Sequence, residues 1–244
     1  TDTRSADAVL DYVSTESLKV EWVLDTHVHA DHLTAANYLK RETDGVTGIG
    51  NQVSVVQQAF SGIFNAGADF SCDGSQFDRL FAPDEEFAIG TLTVKTLHMP
   101  GHTPACVMYA VGDAVFVGDT LFMPDSGTAR CDFPGGNARQ LYRSIMRLFA
   151  MPDETRLFMC HDYKAPGRDS YVWESTVGEQ RASNIHIGNG ISEDDFVALR
   201  EARDAELDMP MLILPAVQVN MRAGQLPPPE GNGTTYLKIP VNIL

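Results

Sequence analysis

The chain of 244 residues carries 18 basic and 33 acidic side chains, which gives a formal net charge of −15, and 43% of its residues are hydrophobic. This composition is typical of a globular protein and excludes an intrinsically disordered or membrane-embedded one. The acidic excess argues against a nucleic-acid partner, because phosphate binding needs a basic surface. No apolar run is long enough to span a bilayer, and the opening "TDTRSADAVL" is not a signal peptide. We therefore expect a cytoplasmic protein that binds neither nucleic acid nor membranes.

The pattern of apolar residues predicts alternating helices and strands over the first two thirds of the chain. Helices are predicted at residues 5–18, 33–43, 52–65 and 138–150, and single strands at residues 19–27, 45–50 and 155–163. Hairpin-like strand pairs are predicted at residues 81–103 and 106–120, the second with Gly112 and Asp113 at its turn. Two further helices, at residues 172–184 and 192–207, precede a proline-rich tail. Strands interleaved with helices indicate an α/β protein whose helices cover the sheet faces.

The four cysteines form no CxxC pair, so we expect reduced thiols rather than a disulfide framework or a zinc ribbon. Cys106 and Cys160 lie in strand-like apolar runs, where cysteine behaves as a small buried hydrophobe. Cys131 lies among polar and glycine residues and could be exposed.

Metal-capable side chains are concentrated in the stretch "LDTHVHADHLTAA", which follows the first predicted strand. His27 and His29 alternate, as ligands on one side of an extended backbone would, and Asp31 and His32 follow where the predicted helix begins. Imidazole and carboxylate groups are suitable ligands for zinc or iron. The stretch therefore predicts a metal site, against the alternative of a solvated cluster in a surface loop.

Three later segments place a further candidate ligand directly after an apolar run. They are "MPGHT" with His102, "VGDT" with Asp119 and "MCHDY" with His161. Because open α/β sheets usually carry their sites at strand ends, we expect these side chains to converge at one rim of a sheet. We expect residues 1–170 to form the core with the metal motifs, and residues 171–244 to complete the same domain and its substrate pocket.

The motifs "THVHADH", "PGHT", "GDT" and "CHDY" occur in an order that resembles the metallo-β-lactamase superfamily. This resemblance implies an αββα sandwich, in which two mixed sheets lie face to face with helices outside and the metal site at one edge. Members of the superfamily usually open with a β-hairpin that is missing before the helix beginning near Ser5. We expect that a preceding segment was removed from this chain.

The segments "GTARCDFPGG", "STVGEQR" and "VNMRAG" are similar to the persulfide dioxygenases, in particular to their bacterial β-lactamase-like-hydrolase subgroup. This resemblance implies that the protein uses dioxygen to oxidise glutathione persulfide to sulfite and glutathione. It implies one Fe(II) per chain, held by His27, His102 and Asp119 as a facial triad of two imidazoles and one carboxylate. The remaining candidate ligands would orient these three or move protons as catalytic residues. They are His29, Asp31, His32 and His161.

Glutathione carries two carboxylates and an ammonium group, so its pocket should offer cations and amides. Five residues in the matching segments have this chemistry. They are Arg130, Tyr163, Lys164, Asn220 and Arg222. The alternative for each is a surface residue or one that braces a loop. Of these five, Arg130 and Tyr163 are the strongest candidates for substrate contact, because each adjoins a glycine-rich or ligand-bearing loop.

The ligand set leaves other functions open, because all seven ligands of a two-metal hydrolase are present. A thioester hydrolase of the glyoxalase II type would bind two Zn ions, with Asp119 bridging them and a hydroxide as nucleophile. A non-catalytic module that senses metal or sulfide is a further, less favoured alternative. A homodimer is compatible with the resemblance, although the sequence does not fix the oligomeric state. His98 and His186 are predicted to be structural or solvated.

Overall fold

The computed structural model describes residues 2–242, which form seven helices and nine strands. The helices are α1 (Arg4–Thr15), α2 (Ala36–Thr43), α3 (Val53–Ile63), α4 (Ala138–Phe149), α5 (Val177–Ser183), α6 (Glu193–Asp204) and α7 (Ile213–Asn220). The strands are β1 (Trp22–Leu24), β2 (Val46–Gly50), β3 (Arg79–Phe81), β4 (Glu86–Ile89), β5 (Leu92–His98), β6 (Val107–Val111), β7 (Ala114–Phe116), β8 (Arg156–Phe158) and β9 (Glu174–Thr176). Among the described residues, no helix combines the length and apolarity that crossing a bilayer requires.

The chain divides into two compact units. The first unit comprises the described residues up to Phe81 together with those from Met209 onward, and the second unit comprises Ala82–Asp208. Residues 171–244, which we expected to complete a single domain, are therefore divided between the two units. Its residues up to Asp208 belong to the second unit, and its remaining residues belong to the first.

The first unit contains a three-stranded sheet in the order β1-β2-β3, and both strand pairs are parallel. Parallel neighbours need a crossover connection, and α2 and α3 provide the two crossovers. The expectation of a mixed sheet does not hold for the described strands of this unit, because a helix separates each strand from the next. Ile49, Val53, Phe64 and Phe81 are almost completely buried and form part of its core.

The second unit contains a six-stranded mixed sheet in the order β4-β5-β6-β7-β8-β9. Its pairs are antiparallel except for β7 and β8, which are parallel. Because β5 and β7 are both antiparallel to β6, the strands β5, β7 and β8 all run in one direction. Their carboxyl ends therefore lie at the same edge of the sheet. Helix α4 contributes the fully buried Leu141, Ile145 and Leu148 to the core of this unit.

The predicted α/β arrangement of two sheets with helices is confirmed, and most predicted elements are present. Strand β9 replaces the first residues of the helix predicted at 172–184, because Ser175 pairs with Leu157 of β8. Helix α7 lies in the segment that was predicted as tail. Its Pro215 is the third helical residue, where the missing backbone N–H costs no intrahelical hydrogen bond.

The expected exposures of two cysteines are wrong. Cys131 is buried, although its polar and glycine neighbours suggested exposure, and Cys160 is exposed, although it follows an apolar strand. The reason is that β8 ends at Phe158, so Cys160 already belongs to the following loop. None of the four cysteines, all of which lie within the described residues, forms a disulfide bond.

A cluster of buried polar side chains connects helix α6 to Thr128 by hydrogen bonds within the second unit. Arg200 is only 1% exposed and forms an ion pair of 2.8 Å with Asp204 one turn later. The Arg200 Nη1 atom also donates to the Thr128 carbonyl at 3.0 Å. The backbone N–H of Thr128 donates to Nδ1 of His186 at 2.9 Å, so this nitrogen must be unprotonated. Burial, assisted by the nearby Arg200 charge, lowers the pKa of His186 to about 4.

This lowered pKa predicts a pH dependence of stability that originates from His186. The unfolded chain takes up the histidine proton below its ordinary pKa of 6.5, whereas the folded chain does not until about 4, so stability is lost as the pH falls through this window. The His186→Asn variant keeps an acceptor for the Thr128 N–H but does not titrate. We expect the unfolding free energy of the native protein to fall relative to this variant by about 2 kcal/mol from about pH 7 to about pH 5. Urea titrations at both pH values measure this difference, and parallel pH profiles would contradict it.

Candidate metal centre

The first unit presents three histidines in the loop that follows β1. His27 is 1% exposed and His29 is 7% exposed, whereas His32 is partly buried. The rings are neighbours, with centroid distances of 4.1 Å between His27 and His29 and 4.3 Å between His29 and His32. One ligand atom from each of His29, Asp31 and His32 lies within 4.8 Å of the others. The alternating pattern thus concentrates imidazoles and a carboxylate in one short loop.

Two threonines and an aspartate orient this loop. The Thr26 hydroxyl lies 3.0 Å from Nδ1 of His27, which leaves Nε2 as the ligand atom of that ring. Thr34 donates its hydroxyl to Oδ1 of Asp25 at 2.9 Å, and the same oxygen lies 3.9 Å from Nε2 of His29. Burial raises the pKa of Asp25 to about 6, although the Thr34 hydrogen bond and the charge of His32 oppose that rise.

The side chain of Asn220, at the end of α7, forms hydrogen bonds with the backbone of the same loop. Its Nδ2 atom donates to the carbonyl oxygens of His29 at 2.8 Å and His32 at 2.7 Å. Its Oδ1 atom accepts the backbone N–H of Thr34 at 2.9 Å. The amide, predicted as a substrate contact, uses both its donor and its acceptor on the loop backbone, an arrangement that favours the loop-bracing alternative.

The second unit brings together three of the predicted ligands at the edge where β5, β7 and β8 end. Nε2 of His102 lies 3.8 Å from Oδ2 of Asp119, and Nε2 of His161 lies 3.7 Å from Oδ1 of the same carboxylate. Two atoms that each bind one metal at about 2.1 Å are roughly 3–4 Å apart. Each oxygen of Asp119 is therefore at a ligand–ligand distance from one imidazole. The expected convergence of these three side chains is present within this unit.

The tautomer of His102 follows from its hydrogen bond. Nδ1 lies 2.7 Å from the carbonyl oxygen of Arg130, which can only accept, so Nδ1 carries the proton. Nε2 is therefore the ring atom available to a metal, and it faces the Asp119 carboxylate, an arrangement that a cation between the two groups would stabilise. Donation from the second ring nitrogen to a backbone carbonyl is the usual support of a metal-binding histidine.

Gly101 lets the His102 turn approach helix α4. Its φ of 148° lies in a region that favours glycine, and a Cβ there would be 2.3 Å from the Cα of Leu141. The Gly101 carbonyl also accepts the backbone N–H of Asn137, whose side chain caps α4. The packing of this turn against the helix therefore requires the glycine of the "PGH" sequence.

Asp162 and Arg168 shape the loop around His161. Arg168 donates to Asp162 and to Asp125, and Asp162 also accepts the backbone N–H groups of Lys164 and Val172. These hydrogen bonds, above all the one from Arg168, lower the pKa of Asp162. The Tyr163 ring stacks on His161 at 5.8 Å and remains 62% exposed, while the Lys164 ammonium lies 4.1 Å from the Tyr171 ring centre. Tyr163 and Lys164 are thus next to a candidate ligand and reachable from solvent.

Arg130 makes a different set of contacts from those expected of a substrate residue. Its guanidinium forms two hydrogen bonds of 2.6 Å to Asp132, donates to the Asp208 carbonyl at 2.7 Å, and lies 5.1 Å from the Phe133 ring centre. Its side chain is 12% exposed. These contacts favour the loop-bracing alternative for the Arg130 side chain.

Arg222 lies in a cavity of the first unit that contains none of the metal-motif residues. It stacks on Phe70 at 4.2 Å and donates to the Ala66 carbonyl at 3.3 Å. The cavity has a volume of about 210 Å³ and includes Lys238 and Glu230 in its lining. Of the five predicted substrate residues, Tyr163 and Lys164 therefore have the surroundings that best suit contact with a ligand of the metal.

The donor set fits a bound iron or zinc ion. Imidazole nitrogens and carboxylate oxygens bind both metals, and the described ligands have supporting hydrogen bonds of the kind that metal sites use. Sequence reasoning missed the support from Asp162, and it also missed the buried Arg200–Asp204 pair of the second unit. Asp162 adjoins a ligand and could have been examined for that reason, whereas Arg200 and Asp204 have the i,i+4 spacing of an ordinary exposed pair.

The bracing contacts of Asn220 predict its effect on metal binding. The Asn220→Ala variant loses both donors and the acceptor, so the histidine loop should loosen and metal affinity should fall on the order of tenfold. Gln218→Ala is a matched control, because this buried amide of α7 donates to Leu214 and Lys238 carbonyls instead. Competition titrations with a chelator measure both affinities. Equal affinities in the two variants would show that Asn220 does not support the site.

Comparisons with known proteins agree with this reading of the motifs. A β-lactamase hydrolase-like protein of Agrobacterium fabrum is 57% identical over 100% of the chain, but the chain spans only 56% of that protein. Glyoxylase B2 of Dictyostelium discoideum is 48% identical, and the match covers 100% of the chain and 84% of that protein. The mitochondrial persulfide dioxygenase ETHE1 of Mus musculus is 29% identical over 87% of the chain and 73% of its own length.

Among solved structures, the crystal structure of ETHE1 from Myxococcus xanthus has a TM-score of 0.73 and 32% identity, covering 91% of this chain and 85% of that one. The model of the metallo-β-lactamase superfamily matches residues 2–161, which include all seven predicted ligands. Since this match covers well over half of the sequence, the chain belongs to the metallo-β-lactamase superfamily, a family of enzymes whose fold implies metal binding.

Proposed function

We propose that this chain is an iron-dependent persulfide dioxygenase that oxidises glutathione persulfide. The observation that carries the proposal is the likeness to ETHE1 in sequence and fold over 91% of the chain. The ETHE1 protein of Mus musculus, a relative of this chain, is named a persulfide dioxygenase. Because it covers 91% of the chain, the likeness extends beyond residues 2–161, which the superfamily model matches.

We propose that His27, His102 and Asp119 bind one Fe(II) as a facial triad. When bound, the iron supplies the open positions at which the persulfide sulfur and dioxygen meet. Glutathione persulfide, dioxygen and water give glutathione, sulfite and two protons. The terminal sulfur loses four electrons and dioxygen gains them, so no further reductant is needed.

The other polar residues of the motifs have roles as ligand supports and proton carriers in this proposal. His161 lies 3.7 Å from the Asp119 carboxylate and is flanked by the exposed Tyr163 ring. His29, Asp31 and His32 belong to one loop, and Nδ1 of His32 lies 3.1 Å from the Asp31 carboxylate. These groups can accept and pass on the protons that the reaction releases.

We propose that Tyr163 and Lys164 contact the glutathione portion of the substrate. An exposed aromatic ring and an ammonium group next to a ligand suit a peptide with two carboxylates. Arg130 and Asn220 serve the pocket through the loops that they brace, and Arg222 remains a candidate for a more distant part of the substrate.

A thioester hydrolase of the glyoxalase II type is the second candidate. It is favoured by the names of two relatives, Glyoxylase B2 and a β-lactamase hydrolase-like protein. The same seven side chains would then hold two zinc ions. Because both enzymes act on glutathione derivatives, the metal and the oxygen requirement distinguish them better than the substrate does.

The central test is oxygen consumption by protein loaded anaerobically with Fe(II). We expect one iron per chain, uptake of one dioxygen per glutathione persulfide, and release of sulfite. His102→Ala and Asp119→Ala should lose iron and oxygen uptake while the Gln218→Ala control keeps both. Hydrolysis of a glutathione thioester by the zinc form, without oxygen uptake by the iron form, would refute the dioxygenase and support the hydrolase.

The His32→Ala variant tests the number of metals. In the mononuclear site that we propose, His32 is not a ligand, so iron content should stay near that of the native protein while turnover decreases. In a dinuclear site, the same substitution should remove one of two metals. Elemental analysis of the purified variant, compared with the native protein loaded in the same way, decides between these outcomes.

A further inference from the structure

The peptide group between Arg130 and Cys131 is hydrogen-bonded on both sides. Its carbonyl oxygen accepts the proton on Nδ1 of His102 at 2.7 Å. Its N–H donates to Oδ2 of Asp204 at 2.8 Å. A carboxylate of helix α6 is therefore connected to a candidate metal ligand through a single planar peptide unit.

The carboxylate at one end of this connection is itself held firmly. Arg200 donates to Oδ1 of Asp204 from Nε at 3.0 Å and lies 2.8 Å away through Nη2. Arg200 also donates to the Thr128 carbonyl, so α6 contacts the loop on both sides of Arg130. Arg200 and Asp204 are 1% and 7% exposed, so solvent does not weaken these contacts.

Such an arrangement affects the histidine in two ways. Because the peptide unit is planar and trans, fixing its N–H also fixes the direction of its carbonyl, and hence the orientation of the His102 ring. A carboxylate that accepts from the N–H also polarises the peptide, which makes its carbonyl a stronger acceptor. A stronger acceptor at Nδ1 makes Nε2 a better metal ligand, as carboxylates do when they contact a metal-binding histidine directly.

We propose that Asp204 is a positioning residue for His102, acting through the Arg130–Cys131 peptide group, with Arg200 holding its carboxylate in place. This inference rests on the part of the proposed function that makes His102 a metal ligand. It holds for an iron dioxygenase and for a zinc hydrolase alike, because both use His102.

Two double variants isolate the role of the hydrogen bond. Arg200→Met combined with Asp204→Asn removes both buried charges but keeps an amide oxygen that can accept the Cys131 N–H. Arg200→Met combined with Asp204→Leu removes the charges and the acceptor, in a side chain of similar size. Leu148→Ala, a fully buried residue of α4, is a control for loss of stability alone. If the leucine variant does not fold, Asp204→Ala in the same background, which also has no side-chain acceptor, replaces it.

The measurement is the affinity for Co²⁺ alone, determined by competition with a chelator and monitored by the visible absorption of the bound ion. We expect the leucine double variant to bind on the order of tenfold more weakly than the asparagine double variant, with an altered spectrum, while Leu148→Ala retains native affinity. A ratio between the two double variants below about threefold would overturn the proposal, whatever their melting temperatures.

The outcome is separable from that of the proposed function. Native protein that binds no Co²⁺ would refute the metal site itself. Native protein that binds metal but consumes no oxygen with glutathione persulfide would refute the dioxygenase and leave the comparison of the two double variants valid.

Discussion

The direction of three strands is the constraint on which the candidate site of the second unit depends. Strands β5, β7 and β8 run the same way, so the loops that carry His102, Asp119 and His161 leave the sheet at one edge. The parallel pairing of β7 with β8 adds His161 to that edge, because an antiparallel β8 would end at the opposite one. The strand directions therefore determine that His102 and His161 both lie near the Asp119 carboxylate. The loops set the distances between these side chains.

A second regularity is that three of the ligand-bearing loops are held by a buried polar side chain that follows the ligand in the chain. Asn220 of α7 holds the histidine loop, and Asp204 of α6 holds the peptide that supports His102. Asp162, with Arg168, holds the turn that follows His161. Backbone groups in such loops would be costly to bury without partners, so these side chains satisfy them and at the same time fix the ligands. Asn220 and Asp204 lie in helices outside the four metal motifs, whereas Asp162 belongs to the "CHDY" motif itself.

The chemistry of the donors does not by itself separate an iron dioxygenase from a zinc hydrolase, because both use imidazoles and a carboxylate. The distinction rests on how many of the donors bind metal and how many support it. In the second unit, Asp119 is within ligand–ligand distance of two imidazoles, one through each oxygen. This geometry is compatible with a bridging carboxylate or with one ligand and one supporting histidine. The likeness to ETHE1 favours one metal ligand with one supporting histidine. The names of other relatives, Glyoxylase B2 and a β-lactamase hydrolase-like protein, favour a bridging carboxylate.

The sequence by itself determined the α/β class, the two hairpins, most helices and the identity of the metal-capable residues, because local periodicity and short motifs encode these features. It did not determine strands of three residues such as β3 and β9, whose only support is pairing with a distant neighbour. It also did not reveal that Arg130 and Asn220 are engaged in bracing, that Cys131 is buried, or that Arg200 and Asp204 form a buried pair. These outcomes depend on which side of an element faces the protein interior, and on hydrogen bonds between residues 73 to 191 positions apart. Only tertiary structure decides such contacts, because no local pattern in the sequence records the partner.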